Sequence, residues 1–264
     1  MLPIYSFVYL TKFRGKINTS KLNIDKLKSW FKKEQIFNNG DLFDFYKTLE
    51  PQIKETTVNW KIYSLCQMGI LNRIGRGKYI LGEARIFIPE APDKIKTINN
   101  KLQRNFPFLS MCLWSTSVFN EFMLHQQGRF YLLVEVEKDA MESVFYFMKD
   151  SKYSIFLEPT RELLSRYIPN EKETWIVKSL VSEAPTQNVL GINTVTIEKM
   201  LVDVFCDSLI FDAQQGSEME IIFKESFEKY TVNENKMLRY ADRRRKKKEL
   251  NEYLNIISTF RQQT

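Results

Sequence analysis

The chain has 264 residues, of which 44% are hydrophobic and 14% aromatic; this is enough apolar material for two modest folded domains and excludes a disordered protein. The formal net charge of +7 is unevenly distributed, because residues 1–85 carry 15 Lys/Arg and 7 Asp/Glu whereas residues 86–235 carry 15 and 22. A front end with a net charge of +8 attracts phosphate through counterion release, which favours a nucleic acid as its partner.

The first ten residues, MLPIYSFVYL, lack the basic leader and the small-residue cleavage site of a signal peptide. We expect this segment to be an edge strand or an arm that packs on the first domain. No stretch of the chain approaches the roughly 20 apolar residues that a membrane span needs, so we predict no membrane contact.

Two amphipathic helices are predicted next, over IDKLKSWFKKEQIF (residues 24–37) and DLFDFYKTL (residues 41–49), because their apolar residues recur at helical spacing. Asp41 is a suitable N-terminal cap for the second helix. Pro51 ends this helix, since the ring and the missing N–H of proline do not fit a helix interior.

The third predicted helix begins at Thr56 or Thr57, whose hydroxyl can accept a hydrogen bond from a first-turn amide, and ends at Gly69. Its narrow apolar stripe consists of Val58, Ile62 and Leu65. An advance of 100° per residue predicts that the opposite side is exposed. That side carries Thr56, Trp60, Tyr63, Ser64 and Gln67, flanked by Asn59 and Lys61.

Two short strands, ILNRI and KYIL, follow around the turn GRG at residues 75–77. A helix, a glycine and a hairpin in this order are typical of the end of a winged helix-turn-helix domain. Its third helix can enter a DNA major groove, and a glycine-flanked arginine can approach phosphates or a minor groove. The predicted DNA-binding residues are Thr57, Asn59, Trp60, Lys61 and Ser64 on the helix, and Arg73, Arg76 and Lys78 on the hairpin.

The same face has a second interpretation. Trp60 and Tyr63 can be covered by another domain, and winged helices also serve as protein-docking modules. The hypothesis of a protein-interaction module whose winged helix does not bind DNA therefore stays open.

A surface linker near EAPDK, residues 90–94, is predicted from the two prolines at this point of the chain, Pro89 and Pro92. We place the first domain at residues 1–88, a mixed α/β domain at residues 89–216 and a helical tail at residues 217–264. Strands and helices alternate through the second domain. Strands are predicted near residues 110–113, 129–137, 153–159 and 174–181, and helices near residues 115–125, 139–149, 161–168 and 197–205. A further short strand is predicted just before the last of these helices, at the start of TVTIEKMLVDVF.

Six consecutive basic residues lie within the tail, which is predicted to be helical. A block of like charges repels itself and rarely serves stability, so it can bind phosphate or an acidic partner such as a toxin. A solvated helix face is the alternative. The residues are Arg243, Arg244, Arg245, Lys246, Lys247 and Lys248.

Three segments in this order resemble the AbiEi-type antitoxins and related transcriptional regulators of bacterial type IV toxin–antitoxin systems. They are GILNRIGRGKYIL, LWSTSVFNEFMLHQQ and TVTIEKMLVDVF, and the resemblance covers roughly residues 40–208. It implies a winged helix that binds inverted repeats in the promoter of its own operon, and a C-terminal domain that counters a nucleotidyltransferase-like toxin. It also implies structural roles for Glu198 and Asp203 in a core helix of the second domain.

Enzyme chemistry has little support in the sequence. The only histidine, His125, is expected at the surface or at a helix cap, and the three cysteines lack the spacing of a zinc site. They are far apart and odd in number, which favours reduced thiols in a cytoplasm. A nuclease could be assembled from Glu158, Glu173 and Lys178, although their spacing matches no nuclease motif.

The sequence thus predicts an α+β protein with an N-terminal winged helix-turn-helix domain, followed by a mixed α/β domain and a helical tail. We expect a bacterial, cytoplasmic regulator that binds double-stranded operator DNA and needs no cofactor or metal. A nucleotidyltransferase-like toxin and a second copy of the chain are the expected protein partners. The protein-interaction module is the alternative function, and a nuclease is the least favoured one.

Overall fold

The computed structural model describes residues 19–32, 36–75, 77–82, 85–150, 153–167 and 173–261. The chain divides into two compact units, residues 1–84 and residues 85–264. Both units combine helices with strands, so the predicted α+β class is confirmed. The N-terminal segment MLPIYSFVYL lies outside the described residues.

The first unit contains three α-helices in its described part: α1 (Ile24–Trp30), α2 (Asn39–Leu49) and α3 (Glu55–Gln67). The three predicted helices are therefore confirmed, with one large difference in length. The first was predicted to reach residue 37, but α1 ends at Trp30 and Phe37 belongs to a short strand, β1 (Phe37–Asn38).

Both predicted helix starts differ from the structure. The cap of α2 is Asn38, whose Oδ1 accepts hydrogen bonds from the amides of Gly40 and Asp41, while Asp41 Oδ2 accepts from the Asn38 amide at 2.7 Å. Asp41 thus completes a reciprocal capping box but is not the cap itself. For α3 the cap position is Lys54, so neither Thr56 nor Thr57 occupies it.

The predicted stop at Gly69 is confirmed. Gly69 adopts a φ of 70°, a left-handed conformation that glycine reaches without strain. The amide of Ile70 donates to the Leu65 carbonyl at 3.0 Å and the amide of Gly69 donates to the Cys66 carbonyl at 3.1 Å. These two bonds satisfy carbonyls that the end of α3 would leave unpaired, and they turn the chain into the hairpin.

The hairpin consists of β2 (Leu71–Gly75) and β3 (Lys78–Leu81), which pair antiparallel, and β1 pairs with the other side of β3. The three-stranded sheet therefore has the order β1-β3-β2. Thirteen buried side chains from the helices and strands form one core under this sheet, among them Leu27, Tyr46 and Leu65. The short unit is thus held by its own hydrophobic core.

The second unit is built on a four-stranded sheet of order β4-β5-β7-β6. Strand β4 (Met111–Ser115) runs antiparallel to β5 (Phe130–Val136), whereas β6 (Ile155–Leu157) and β7 (Glu173–Ser179) run parallel to β5. Helices α5 (Met141–Lys149) and α6 (Arg161–Tyr167) lie between these strands in the chain. The predicted alternation of strands and helices is confirmed here, except that a short 3-10 helix, Thr116–Glu121, replaces the predicted helix over residues 115–125.

Alternating residues of the strands point to opposite sides of this sheet, so the unit has two cores. One core contains α5 and α4 (Asp93–Asn105). The other contains α7 (Ile197–Cys206), α8 (Ser217–Lys229), α9 (Glu234–Arg243) and α10 (Lys247–Arg261). Side chains of the predicted tail, such as Phe223, Tyr240 and Leu250, are therefore part of the core of the second unit.

Two elements of the second unit were not predicted. Helix α4 follows directly on the predicted linker and buries Ile95, Ile98 and Leu102 on one face. Strand β8 (Thr186–Val189) pairs with β9 (Ile192–Val195) in a separate two-stranded sheet before α7. Of these two strands only β8 was missed, because β9 corresponds to the short strand predicted just before α7.

A buried ion cluster ties the tail to the sheet. The ammonium group of Lys199 on α7 donates to both carboxylate oxygens of Glu135 on β5 at 2.7 Å, and to Asp203 one turn further along α7. Tyr240 Oη and Arg244 Nη1 both donate to the other oxygen of Asp203, at 2.8 and 2.7 Å. The side chains of Lys199, Glu135 and Asp203 are at most 2% exposed.

The pKa values of Lys199 and Asp203 reflect a balance between burial and the neighbouring charges. Burial alone would lower the pKa of Lys199, but Asp203 and Glu135 outweigh it and hold that pKa well above its ordinary value. Burial would likewise raise the pKa of Asp203, whereas Lys199, Lys178 and Arg244 lower it. Lys199 and Asp203 therefore stay ionised at neutral pH. The structural roles expected for Glu198 and Asp203 agree with their burial in α7.

We expect Lys199→Met to lower the free energy of unfolding by about 3–5 kcal/mol, because it leaves two buried carboxylates without their cation. Urea denaturation followed by circular dichroism measures the change. Lys248→Met, at an exposed position of the basic run, serves as the matched control and should unfold like the unchanged protein. Equal urea midpoints for the two variants would show that the cluster contributes little to stability.

Candidate nucleic-acid interface

One side of α3 is turned to solvent. Thr56, Thr57, Asn59, Trp60 and Tyr63 are exposed, whereas Val58, Ile62 and Leu65 are in the core. At 100° per residue, four of the exposed positions, all except Thr57, fall within an arc of about 100°. The predicted orientation of the helix is therefore confirmed for its core stripe and for these outward residues.

The predicted exposure is wrong for two residues, Lys61 and Ser64, which are 3% and 2% exposed. Both lie on the flanks between the outward face and the apolar stripe. Lys61 Nζ donates to Glu50 Oε1 at 2.8 Å and lies 4.4 Å from the centre of the Tyr46 ring. A flank position is buried here because α2 provides the lysine with a carboxylate and an aromatic face, so Lys61 joins α2 to α3.

The hairpin presents basic residues next to this helix. Arg73 and Lys78 are exposed, and Arg76 lies outside the described residues. Burial raises the pKa values of Cys66 and Tyr79, and the guanidinium of Arg73 partly offsets both shifts, so its charge lies close to these side chains. The positive charge on this side of the unit therefore comes from the hairpin and not from α3.

The turn of the hairpin lies against the start of α2. The amide of Asn39 donates to the Gly77 carbonyl at 3.1 Å. Asn39 also lines a shallow cavity of about 200 Å³ together with Gly40, Phe43, Glu55, Val58 and Asn59. The start of α2, the first turns of α3 and the tip of the hairpin thus lie on one side of the first unit.

The basic run was predicted to lie within a helical tail. In the structure the helix is interrupted there. Arg243 ends α9, Arg244 is its C-terminal cap, Arg245 has a φ of 56°, and α10 begins at Lys247. The amide of Lys246 donates to the Ala241 carbonyl at 2.9 Å, which closes the end of α9. The run is therefore a tight turn between two helices.

Four of these six residues have acidic partners at the surface. Arg243 pairs with Glu183, Lys246 with Glu249, Lys247 with Asp242, and Lys248 with Glu252 at 4.0 Å. Arg244 is directed inward to Asp203, so its predicted role in partner or phosphate binding is wrong in this structure. Arg245 is exposed.

The structure describes the side chains of two of the three residues of the nuclease hypothesis. Lys178 is 9% exposed and donates to Asp207 Oδ2 at 2.6 Å, while Glu158 is exposed and the side chain of Glu173 lies outside the described part. Within the described residues no group of three or more His, Cys, Asp or Glu side chains could hold a metal ion. His125 is at the surface as predicted, with Nδ1 2.6 Å from Glu218 Oε1.

None of the helices in the described part of the chain is both long and apolar enough to cross a bilayer.

Arg244 and Arg245 are neighbours with opposite expected effects on stability. Arg244→Ala removes a donor from a buried carboxylate and should destabilise the protein by about 1–3 kcal/mol. Arg245→Gly relieves a left-handed backbone that an arginine adopts at a cost, and should stabilise it by about 0.5–1 kcal/mol. Thermal or urea unfolding of the two variants measures both signs. A loss of stability of equal size in both variants would contradict the inward role of Arg244 and the backbone strain at Arg245.

Comparisons with known proteins give a family and no function. The family of unknown function DUF6577 matches residues 57–259, which includes nearly all of α3, the hairpin and most of the second unit. No curated protein matches the chain. Because the match spans well over half of its length, the chain belongs to the DUF6577 family.

Proposed function

We propose that the protein is a DNA-binding transcriptional regulator whose first unit is a winged helix-turn-helix domain. The observation that carries this proposal is the pairing of an outward polar and aromatic face on α3 with an adjoining basic hairpin. Thr57, Asn59 and Trp60 would contact bases or phosphates, and Arg73, Arg76 and Lys78 would contact phosphates. Lys61 and Ser64 leave this set because they are buried.

The order of elements supports the proposal. Helix α1, strand β1, helices α2 and α3, and the strands β2 and β3 follow one another in the chain, and β1 completes the small sheet at the hairpin. This is the order expected when a third helix is presented to a groove and a hairpin extends beside it. A single α-helix fits the major groove, which is about 12 Å wide.

Electrostatics favours DNA over an uncharged partner. Residues 1–85 have a net charge of +8, whereas residues 86–235 have a net charge of −7. A basic unit gains affinity for a duplex by releasing condensed counterions, and an acidic neighbour gains none. The charge therefore favours the first unit as the part of the chain that binds DNA.

The resemblance to AbiEi-type antitoxins narrows the proposal further. It supports autoregulation, in which the protein binds inverted repeats in its own promoter, and an antitoxin role of the second unit against a nucleotidyltransferase-like toxin. A homodimer in the cytoplasm follows by analogy, because paired half-sites about one helical turn apart are read by two copies.

A second function is favoured by one observation. Trp60 and Tyr63 are 48% and 64% exposed on α3, and large apolar side chains exposed on one face of a protein can mark a surface that binds another protein. A protein-interaction module that covers this face is therefore the alternative. Its partner would bind independently of salt, since α3 presents no exposed cation within its described side chains.

The first test is binding to a duplex from upstream of the protein's own gene and to a scrambled duplex, at about 50 and 200 mM salt. We expect tight binding to the upstream duplex alone and a steep loss of affinity at the higher salt. Equal binding to both duplexes would argue against autoregulation. Absence of binding at the lower salt would transfer the assignment to the protein-interaction module.

The hairpin provides a sharper test. The double variant Arg76→Ala/Lys78→Ala should weaken binding to all duplexes alike and reduce the slope of log K against log salt by about 2, one for each lost phosphate contact. Fluorescence anisotropy over a salt series measures both quantities. Lys26→Ala/Lys28→Ala removes the same charge from exposed positions of α1 and serves as the control. A double variant with the slope of the control would refute the phosphate contacts of the hairpin.

A further inference from the structure

We propose that the outward face of α3 selects A·T base pairs, and this inference rests on the DNA-binding function proposed above. Asn59 would recognise adenine, while Trp60 and Tyr63 would contact the methyl groups of neighbouring thymines. The occupant of the face is a DNA duplex, since the unit that presents it carries a net charge opposite to that of phosphate.

The only cation in the sequence of α3 is buried. In specific complexes guanine is most often recognised by arginine or lysine, which donates to its O6 and N7 atoms. The sequence of α3, ETTVNWKIYSLCQ, has a single basic residue, Lys61, whose buried side chain donates to the half-exposed carboxylate of Glu50. The helix therefore has no side chain of the type that usually reads guanine.

Asn59 has a side chain that can recognise adenine. Its side chain is exposed at the edge of the cavity beside α2, and it forms no hydrogen bond with another described residue. A carboxamide has one donor and one acceptor at the spacing of adenine N7 and N6, so it can bind adenine with two hydrogen bonds. Among the described side chains of the face, Asn59 is the one with this complementarity.

The positions around Asn59 on this face are apolar in character. Trp60 and Tyr63 lie within one turn of it, and Thr56 adds a methyl group on the same face. The thymine C5-methyl group is the only apolar feature in the major groove, and apolar side chains are its usual contacts. Removing these aromatic surfaces from water on thymine would stabilise the complex.

The carboxylate of Glu55 is the one competing feature. Glu55 lines the same cavity and begins α3, and a carboxylate can accept a hydrogen bond from the N4 amine of cytosine. Its position lies about 100° around the helix from Thr56, at the edge of the face. Base selection by Glu55 would give G·C pairs, so the two assignments predict opposite sequences.

Selection of binding sites from a random duplex library, with the full chain as the binder, distinguishes recognition of A·T pairs from recognition of G·C pairs. We expect enrichment of sites whose major-groove positions are A·T. The enriched duplex is then prepared with 7-deazaadenine, which lacks N7, and separately with uracil, which lacks the methyl group. Both changes leave the minor-groove edge unaltered. Weaker binding to each substituted duplex is expected for major-groove recognition of A·T, and unchanged binding to both would overturn the inference.

Variants assign the contacts to residues. Asn59→Ala should lower the affinity for the enriched duplex by roughly 5- to 150-fold, with an unchanged salt slope. The affinity of this variant should no longer depend on whether the duplex contains adenine or 7-deazaadenine. Lys28→Ala, at an exposed position of α1, should retain both the selectivity and the sensitivity. Matching thermal unfolding curves confirm that each variant is folded.

The failures of the two proposals are distinguishable. Enrichment of G·C sites, or tight binding without base preference, would overturn the A·T inference and leave the DNA-binding function intact. Absence of binding to any duplex would overturn both.

Discussion

The ion cluster around Lys199 is the interaction on which the second unit depends. It joins β5, α7 and the end of α9, three elements that are distant in sequence. The buried Lys199 and the partly buried Arg244 face two buried carboxylates there, and Tyr240 and Trp114 add hydrogen bonds to Asp203 and Glu135. Such a cluster is weak evidence for high stability, because desolvation offsets most of the attraction. It does fix the position of the tail, since a shift of α9 would leave a buried carboxylate without a partner.

The same reasoning applies on a smaller scale in the first unit, where Lys61 takes Glu50 and Tyr46 as partners. In both units a lysine on a helix flank is turned inward by acidic and aromatic groups of another element. Neither lysine is then available to a ligand. The charge of a segment, counted in the sequence, therefore overstates the charge that the segment presents to solvent.

Local patterns in the sequence predicted most of the fold. The three helices and the hairpin of the first unit, and the alternation around β5, follow from helical spacing, strand patterns and the glycine after α3. Helix α4 was missed because its polar residues follow two prolines and resemble a linker. The inward turn of Arg244 could not be predicted, since it depends on Asp203, which lies 41 residues earlier in the chain. The burial of Lys61 was missed for the same reason, because its partners belong to another helix.

This division between local and non-local information extends to the candidate interface. If the proposals hold, the hairpin supplies affinity through charge, and α3 supplies selectivity through side chains that carry none. Phosphate contacts act alike on every sequence, whereas base contacts depend on donor and acceptor patterns. Because Lys61 is withdrawn into the interior, the two contributions are separated onto different elements. A helix that carried both would bind all duplexes more tightly and discriminate among them less.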